Sequence, residues 1–334
     1  MALLEIHGLR VSVGGDWPEV VENLRLDFVW FERPGADGAP VDVSVQVERR
    51  PPDFDRFGEV PATFVTPRNV VYELGDTTVV DYFGRAVSVL DRDSARLTVQ
   101  GESEHLVHEA AYHYLLSRIG EHLESVGFTR LHALALVGGQ GAVAVMLPSG
   151  GGKSTLALRA LRDGGPRLLS EDSPLIDRRG RLHPFPLRIG VNATDADKLP
   201  SGSVRRLERM EFHPKLALDL EAFADRIEAS PQPLRHLVIG RRTLGTEARL
   251  ERARRAGAIG TLVREAVVGV GIYQGMEFIL QKGMRDVFGK AGVGLTRTAC
   301  CAAGLSRARV WRATFGRDGE RNWAALAPLL HGEP

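Results

Sequence analysis

The chain has 334 residues, of which 43% are hydrophobic and 25% charged, and its formal net charge is +1. That composition is ordinary for a globular protein of one large domain or two. The balanced charge gives no electrostatic footprint for nucleic acid or an anionic membrane, and no apolar run approaches the roughly 20 residues a bilayer-spanning helix needs. The start, Met1-Ala2-Leu3-Leu4-Glu5-Ile6-His7, has no basic segment ahead of an apolar core, so a cytoplasmic protein is expected. The two cysteines, Cys300 and Cys301, are adjacent, which suits neither a disulfide nor a zinc set and points to two small core or surface residues.

Residues 1–104 form a β-rich N-terminal region. The runs 77–80, 86–90 and 95–99 are short and rich in β-branched residues, with turn signals at Gly84-Arg85 and Asp91-Arg92-Asp93-Ser94. Gly35-Ala36-Asp37-Gly38 and Arg49-Arg50-Pro51-Pro52-Asp53 read as loops. From residue 105 a second region runs to 334. Apolar positions at 106, 110, 111, 114, 115, 119 and 123 predict a helix over 105–125, ended by Gly127. His105 and His108 on it read as solvated or capping residues rather than metal ligands, since no acidic or cysteine cluster accompanies them.

A strand over 131–137, a tight turn at 138–141 and a hairpin partner over 142–146 follow. Next comes Leu147-Pro148-Ser149-Gly150-Gly151-Gly152-Lys153-Ser154-Thr155, and then the amphipathic helix that begins Leu156-Ala157-Leu158. Strand, glycine-rich turn, Lys-Ser and helix is the context of a phosphate-binding loop. The glycines let successive backbone N–H groups face one anion, and the helix start adds its positive dipole end. Ser149, Gly150, Gly151, Gly152, Lys153, Ser154 and Thr155 are therefore the expected nucleotide contacts, with Lys153 neutralising phosphate charge and the Ser154 hydroxyl contributing to a Mg²⁺ site. Lys occurs at only five positions, which makes a lysine inside this loop a pointed choice.

A strand over 167–170 ends in Glu171-Asp172, the acidic element such a site needs: one carboxylate to bind the metal and the other to serve as general base. His132, in the strand paired with the loop's own strand, is the next candidate. Arg188, and after it Lys215, are the expected further phosphate contacts. Residues 183–190 read as extended. Residues 217–226 and 245–266 read as helices, the second with a solvated Arg/Glu face rather than a nucleic-acid surface, and the tail reads as a strand over 310–315 and a helix over 322–330.

His132, the loop at 147–155 and the pair at 171–172 together resemble HPr kinase/phosphorylase. His132 stands fifteen residues before Leu147, Ser149-Gly150-Gly151-Gly152-Lys153-Ser154 is similar to that family's loop, and a strand ends in two acidic residues after the helix. The resemblance covers about 131–176. Leu147 stands where the loop pattern has its first glycine, and Glu171 where the family has an aspartate. The resemblance implies an α/β P-loop kinase core of the HPr-kinase and phosphoenolpyruvate-carboxykinase-like type, using ATP (GTP is not separated) and Mg²⁺. It implies Asp172 as the base, Glu171 as a metal or base partner and His132 as a phosphate-side contact. The acceptor would be a serine hydroxyl of a peptide or small protein. The chain looks closer to a divergent branch of HPr-kinase-like proteins, some of which resemble the kinases that phosphorylate a C-terminal serine of lasso precursor peptides, and a ribosomal natural-product precursor is then the implied acceptor. A small-molecule hydroxyl as acceptor, and a nucleotide-binding switch without catalysis, are the alternative readings. The sequence leaves the oligomeric state open.

Overall fold

The computed structural model describes residues 1–35, 40–196, 199–207, 215–267 and 283–332. It is a mixed α/β protein with two compact units, one built chiefly from Met1–His122 and one chiefly from Leu123–Val204 and the chain from Ala217 onward. Among the described residues, no helix is long and apolar enough to cross a membrane.

The first unit holds β1 (Ala2–Ile6), β2 (Leu9–Gly15), α1 (Pro18–Asp27), β3 (Val43–Arg49), β4 (Phe64–Val65), β5 (Val70–Leu74), β6 (Thr77–Asp81), β7 (Ala86–Asp91), β8 (Arg96–Gly101) and most of α2 (Glu104–Ser125). Its eight strands lie in the order β1-β2-β3-β8-β7-β6-β5-β4. The three expected strands near 77–99 are β6, β7 and β8, joined as an antiparallel meander. Val43, Val45 and Val47 alternate into the core along β3, the period a half-buried strand imposes. Residues 36–39, part of one expected loop, lie outside the described residues.

The helix expected over 105–125 is α2, but His108 on it is not solvated. It is buried at 4% exposure, and its Nε2 lies 2.9 Å from the Asp27 carboxylate, which Arg205 also engages. A buried carboxylate needs such partners, and no local pattern marks one 81 residues away. His105 does sit locally, its Nδ1 3.0 Å from the Ser103 hydroxyl.

The second unit continues with β9 (Thr129–Arg130), β10 (Leu134–Gly138), β11 (Gly141–Met146), α3 (Lys153–Asp163), β12 (Arg167–Ser170), β13 (Leu175–Ile176), β14 (Arg181–His183), β15 (Ile189–Val191) and α4 (Ala193–Ala196). The short strands β16 (Val204–Leu207) and β17 (Lys215–Leu218) are divided between the units, and the second unit resumes with β18 (Gln232–Arg242), β19 (Arg249–Arg252), α5 (Ala256–Leu262), α6 (Gly283–Arg307), β20 (Arg309–Phe315) and α7 (Gly319–His331). The sheet runs β12-β10-β11-β18-β20-β19, with β14, β13 and β9 branching from the start of β18. β10 is antiparallel to both β11 and β12, and β18 and β20 run parallel to β11. Four strands, β11, β12, β18 and β20, therefore end on the same edge.

Ala142, Ala144 and Met146 of β11 join Leu237, Val310, Ala258, Leu262, Cys300 and Cys301 in one core face. Val143 and Val145 are also fully buried, on the face where α3 and α7 pack against β10. Both faces being covered explains why β11 reads as a continuous apolar run.

Two expected helices are corrected. Over 245–266 the chain first forms β19, antiparallel to β20 with Glu251 opposite Arg312, and becomes helical only from Ala256. Cross-strand pairing to a partner about 60 residues away overrides the local helical pattern, as tertiary contacts commonly do. Over 217–226 the chain completes β17 and then makes a 3₁₀ segment, Leu220–Arg226, broken by non-helical Phe223. The long helix α6 and the central strand β18 add to the expected elements.

Candidate functional site

β11 ends at Met146, and the chain turns through the glycine-rich loop into α3. Gly151 N donates to Pro148 O at 2.9 Å, closing the turn. Gly150 (φ 71°) and Gly152 (φ 103°) are in the left-handed region, where a side chain would be strained. Gly152 is the N-cap of α3 and supplies no side-chain cap, so the first-turn N–H groups of α3 keep their donor capacity toward the loop. Ser149 and Gly150 are exposed at the tip and Thr155 is exposed on the first turn of α3, while Lys153 is 6% exposed.

Leu147, at the place where a first glycine was expected, is 3% exposed. Its side chain packs over Gly240 of β18: a Cβ built at Gly240 would stand 2.5 Å from Leu147 Cδ2. The missing glycine at 147 is thus matched by one on the neighbouring strand, and the Leu147 carbonyl stays in the loop, where it accepts from Lys153 Nζ at 2.9 Å.

The sheet order explains why the other candidates meet there. β12 runs in the direction of β11, so its end, Glu171-Asp172, emerges on the loop's edge, and β10, running oppositely between them, begins on that edge. His132 does not lie in a continuous strand over 131–137 as expected. The chain breaks between β9 and β10, with Leu131 N donating to Pro174 O and Ala133 N to Asp172 O, and this break carries His132.

The result is a triangle. Lys153 Nζ lies 2.8 Å from His132 Nε2 and 3.2 Å from Asp172 Oδ1, and His132 Nε2 lies 3.1 Å from Asp172 Oδ1. Beside it the Ser154 hydroxyl donates to Glu171 Oε1 at 2.6 Å. His132 Nδ1 faces Glu265 Oε2 at 3.2 Å, and Glu265 also pairs with Arg264. Nδ1–H donating to Glu265 leaves Nε2 to accept from Lys153 when the ring is neutral, or to donate to Asp172 when it is protonated; it cannot do both. The Asp172 hydrogen bond holds the His132 imidazole above its usual value, against its own burial and the Lys153 charge. Burial works to raise the Asp172 carboxyl, but the His132 hydrogen bond and the Lys153 ammonium outweigh it and hold it below the ordinary carboxylate range. Half of the Asp172 side chain remains exposed, at 49%, so an incoming hydroxyl could reach it.

Two residues of this cluster were not foreseen. Glu265 sits just past α5, in a π-helical turn, and no local spacing marks it. Arg242 ends β18 and its Nη1 reaches Gly151 O at 3.4 Å, placing a guanidinium against the loop. Its signal was legible: Leu237-Val238-Ile239-Gly240 before Arg241-Arg242 is an apolar strand ending in cations. Arg188 stands one residue before β15, a strand that packs beside α3, and is half-buried. The side chain of Lys215 lies outside the described residues.

For a cation, the donor set is two oxygens, the Ser154 hydroxyl and the Glu171 carboxylate. That fits Mg²⁺, which keeps several waters and takes one or two protein oxygens plus substrate phosphates rather than a full protein cage. Among the described residues, no group of three or more His, Cys, Asp or Glu could hold a metal by itself. The chain matches no protein-family model. It likewise matches none of the curated proteins.

Proposed function

We propose that the second unit is a P-loop-type kinase that transfers the γ-phosphoryl group of Mg²⁺-ATP to a serine hydroxyl of a peptide or small protein. The observation that carries the reading is the Lys153–His132–Asp172 triangle beside the Ser154–Glu171 pair, all at the edge where β11 and β12 end. In open α/β sheets, ligands bind outside the carboxyl ends of the strands.

The roles follow from the chemistry. The α3 N-terminus and Lys153 cradle the phosphates, Lys153 exchanging its contacts to Leu147 O, His132 and Asp172 for phosphate oxygens. Ser154 and Glu171 would hold a Mg²⁺, which would supply charge neutralisation to the phosphate oxygens. Asp172, ionised at neutral pH and half-exposed, accepts the acceptor's hydroxyl proton as the Oγ–P bond forms and the bond to the ADP oxygen breaks. His132 holds Asp172 in place, with Glu265 fixing its tautomer. Arg242, against the loop, adds positive charge where it develops in transfer.

The test is incubation with γ-labelled ATP, Mg²⁺ and serine-containing peptides. Label on serine, abolished by Lys153→Ala, supports the reading. ATP bound without transfer to any acceptor would replace it with a nucleotide-binding switch, and label on a small hydroxyl compound alone would reassign the acceptor.

A further inference from the structure

The opposite edge of the second unit's sheet holds a cavity of about 360 Å³ lined by Gln140, Arg235, His236, Arg307 and Arg309. These residues come from four places: the β10–β11 turn, β18, the last residue of α6 and the first of β20. Among the described residues, no carboxylate lines it. Among the described residues, Arg235 and Arg309 have no ion pair, and Arg307 donates only to a neutral acceptor, the Arg179 carbonyl.

Two features show that the cavity is built rather than incidental. First, the β11–β18 register skips one residue: Ala142 pairs with Leu234 and Val143 with His236, leaving Arg235 as the extra residue of a bulge. Bulges are uncommon in parallel pairs and re-aim a side chain. The Arg235 stem crosses Gly141, where a Cβ would stand 2.9 Å from Arg235 Cγ. Second, His236 is buried at 2% exposure and its Nδ1 accepts from Trp311 Nε1 at 2.9 Å, which places the ring proton on Nε2. Burial, with the charges of Arg309 and Arg235, holds the imidazole below its usual value. His236 lines the cavity with its ring orientation fixed by Trp311.

We propose that this cavity binds a phosphate-class oxyanion, as inorganic phosphate or as the phosphate group of a small metabolite, at a site separate from the loop 147–155. Three guanidinium groups supply the charge for a dianion, and donors arriving from four elements suit a tetrahedral oxyanion better than a planar carboxylate, which one Arg fork satisfies. The volume is at the small end of ligand sites and admits a phosphate with a short substituent.

The test is calorimetric titration of the full chain with inorganic phosphate at constant ionic strength. A binding event retained in Lys153→Ala, and weakened at least tenfold in the Arg235→Gln/Arg309→Gln variant, is expected. Unchanged thermal unfolding shows that the variant is folded, and Arg309→Gln alone serves if the double variant is not. A parallel titration with glycerol 3-phosphate distinguishes the source: tighter binding assigns a phosphorylated metabolite, and equal or weaker binding assigns free phosphate. No saturable event, or one lost in Lys153→Ala and kept in the arginine variants, overturns the site.

Discussion

Asp172→Asn separates the catalytic reading from a structural one. The amide keeps the shape and one acceptor oxygen, so a hydrogen bond from Lys153 or His132 survives, while the proton-accepting charge is lost. A positioned base contributes about 10²–10⁴ in rate, or roughly 3–5 kcal/mol of barrier, so transfer should fall by that factor. The stability cost is far smaller. A full charge pair at the Lys153–Asp172 separation of 3.2 Å is worth about 5 kcal/mol at an effective dielectric of about 20. Half of the carboxylate is in water, and the buried Lys153 ammonium keeps Leu147 O, His132 Nε2 and the amide oxygen as acceptors, so the net cost drops to about 1–2 kcal/mol. A chain of this size then loses roughly 2 °C in Tm. The assay is labelled transfer under saturating ATP together with thermal unfolding. Transfer within tenfold of the unsubstituted protein would refute Asp172 as the base, and a large Tm loss with matching activity loss would make it a structural residue.

Gly138→Ala should be severe, because a Cβ there would stand 1.9 Å from Leu330 O at the end of α7, a backbone atom with nowhere to go; overpacking of this kind costs about 3 kcal/mol, read as a shift of the urea midpoint. Glu265→Gln should bring the His132 imidazole down toward its ordinary 6.5, since Glu265 is one of the partners raising it, as proton-detected titration of the ring would record. The linked stability has a fixed sign. A raised histidine stabilises fully below the unfolded value and loses this as pH climbs through the folded one, so the variant's deficit should be largest at acid pH. Cys300 and Cys301 are free and buried, and burial pushes both thiols up, Cys301 to about 12, so an aromatic disulfide reagent should label neither until denaturant is added. Rapid labelling of the native protein would contradict the packing of α6 described here.

Locally coded features were legible. The hairpin of β10 and β11, the glycine-rich turn, α3 and β12 each carry their own periodicity and turn chemistry, and the tail strand and helix were read from the same signals. What failed was coded elsewhere in the chain. Arg249–Arg252 is a strand because β20 is there to pair with it. His108 is buried because Asp27 needs a partner. Leu147 looked like a defect in the loop until Gly240 appeared beside it.

The sequence by itself determined that a glycine-rich Lys-Ser loop follows one strand, that an acidic pair follows another, and that a histidine precedes both. Only the tertiary structure decided that they meet. An antiparallel β10 between two like-directed strands brings residues 132, 153 and 172 to one edge, and the parallel neighbour β18 brings Arg242 to the same loop. Glu265 enters from 133 residues away. Strand order and direction are properties of the packed sheet as a whole, and no local spacing encodes them.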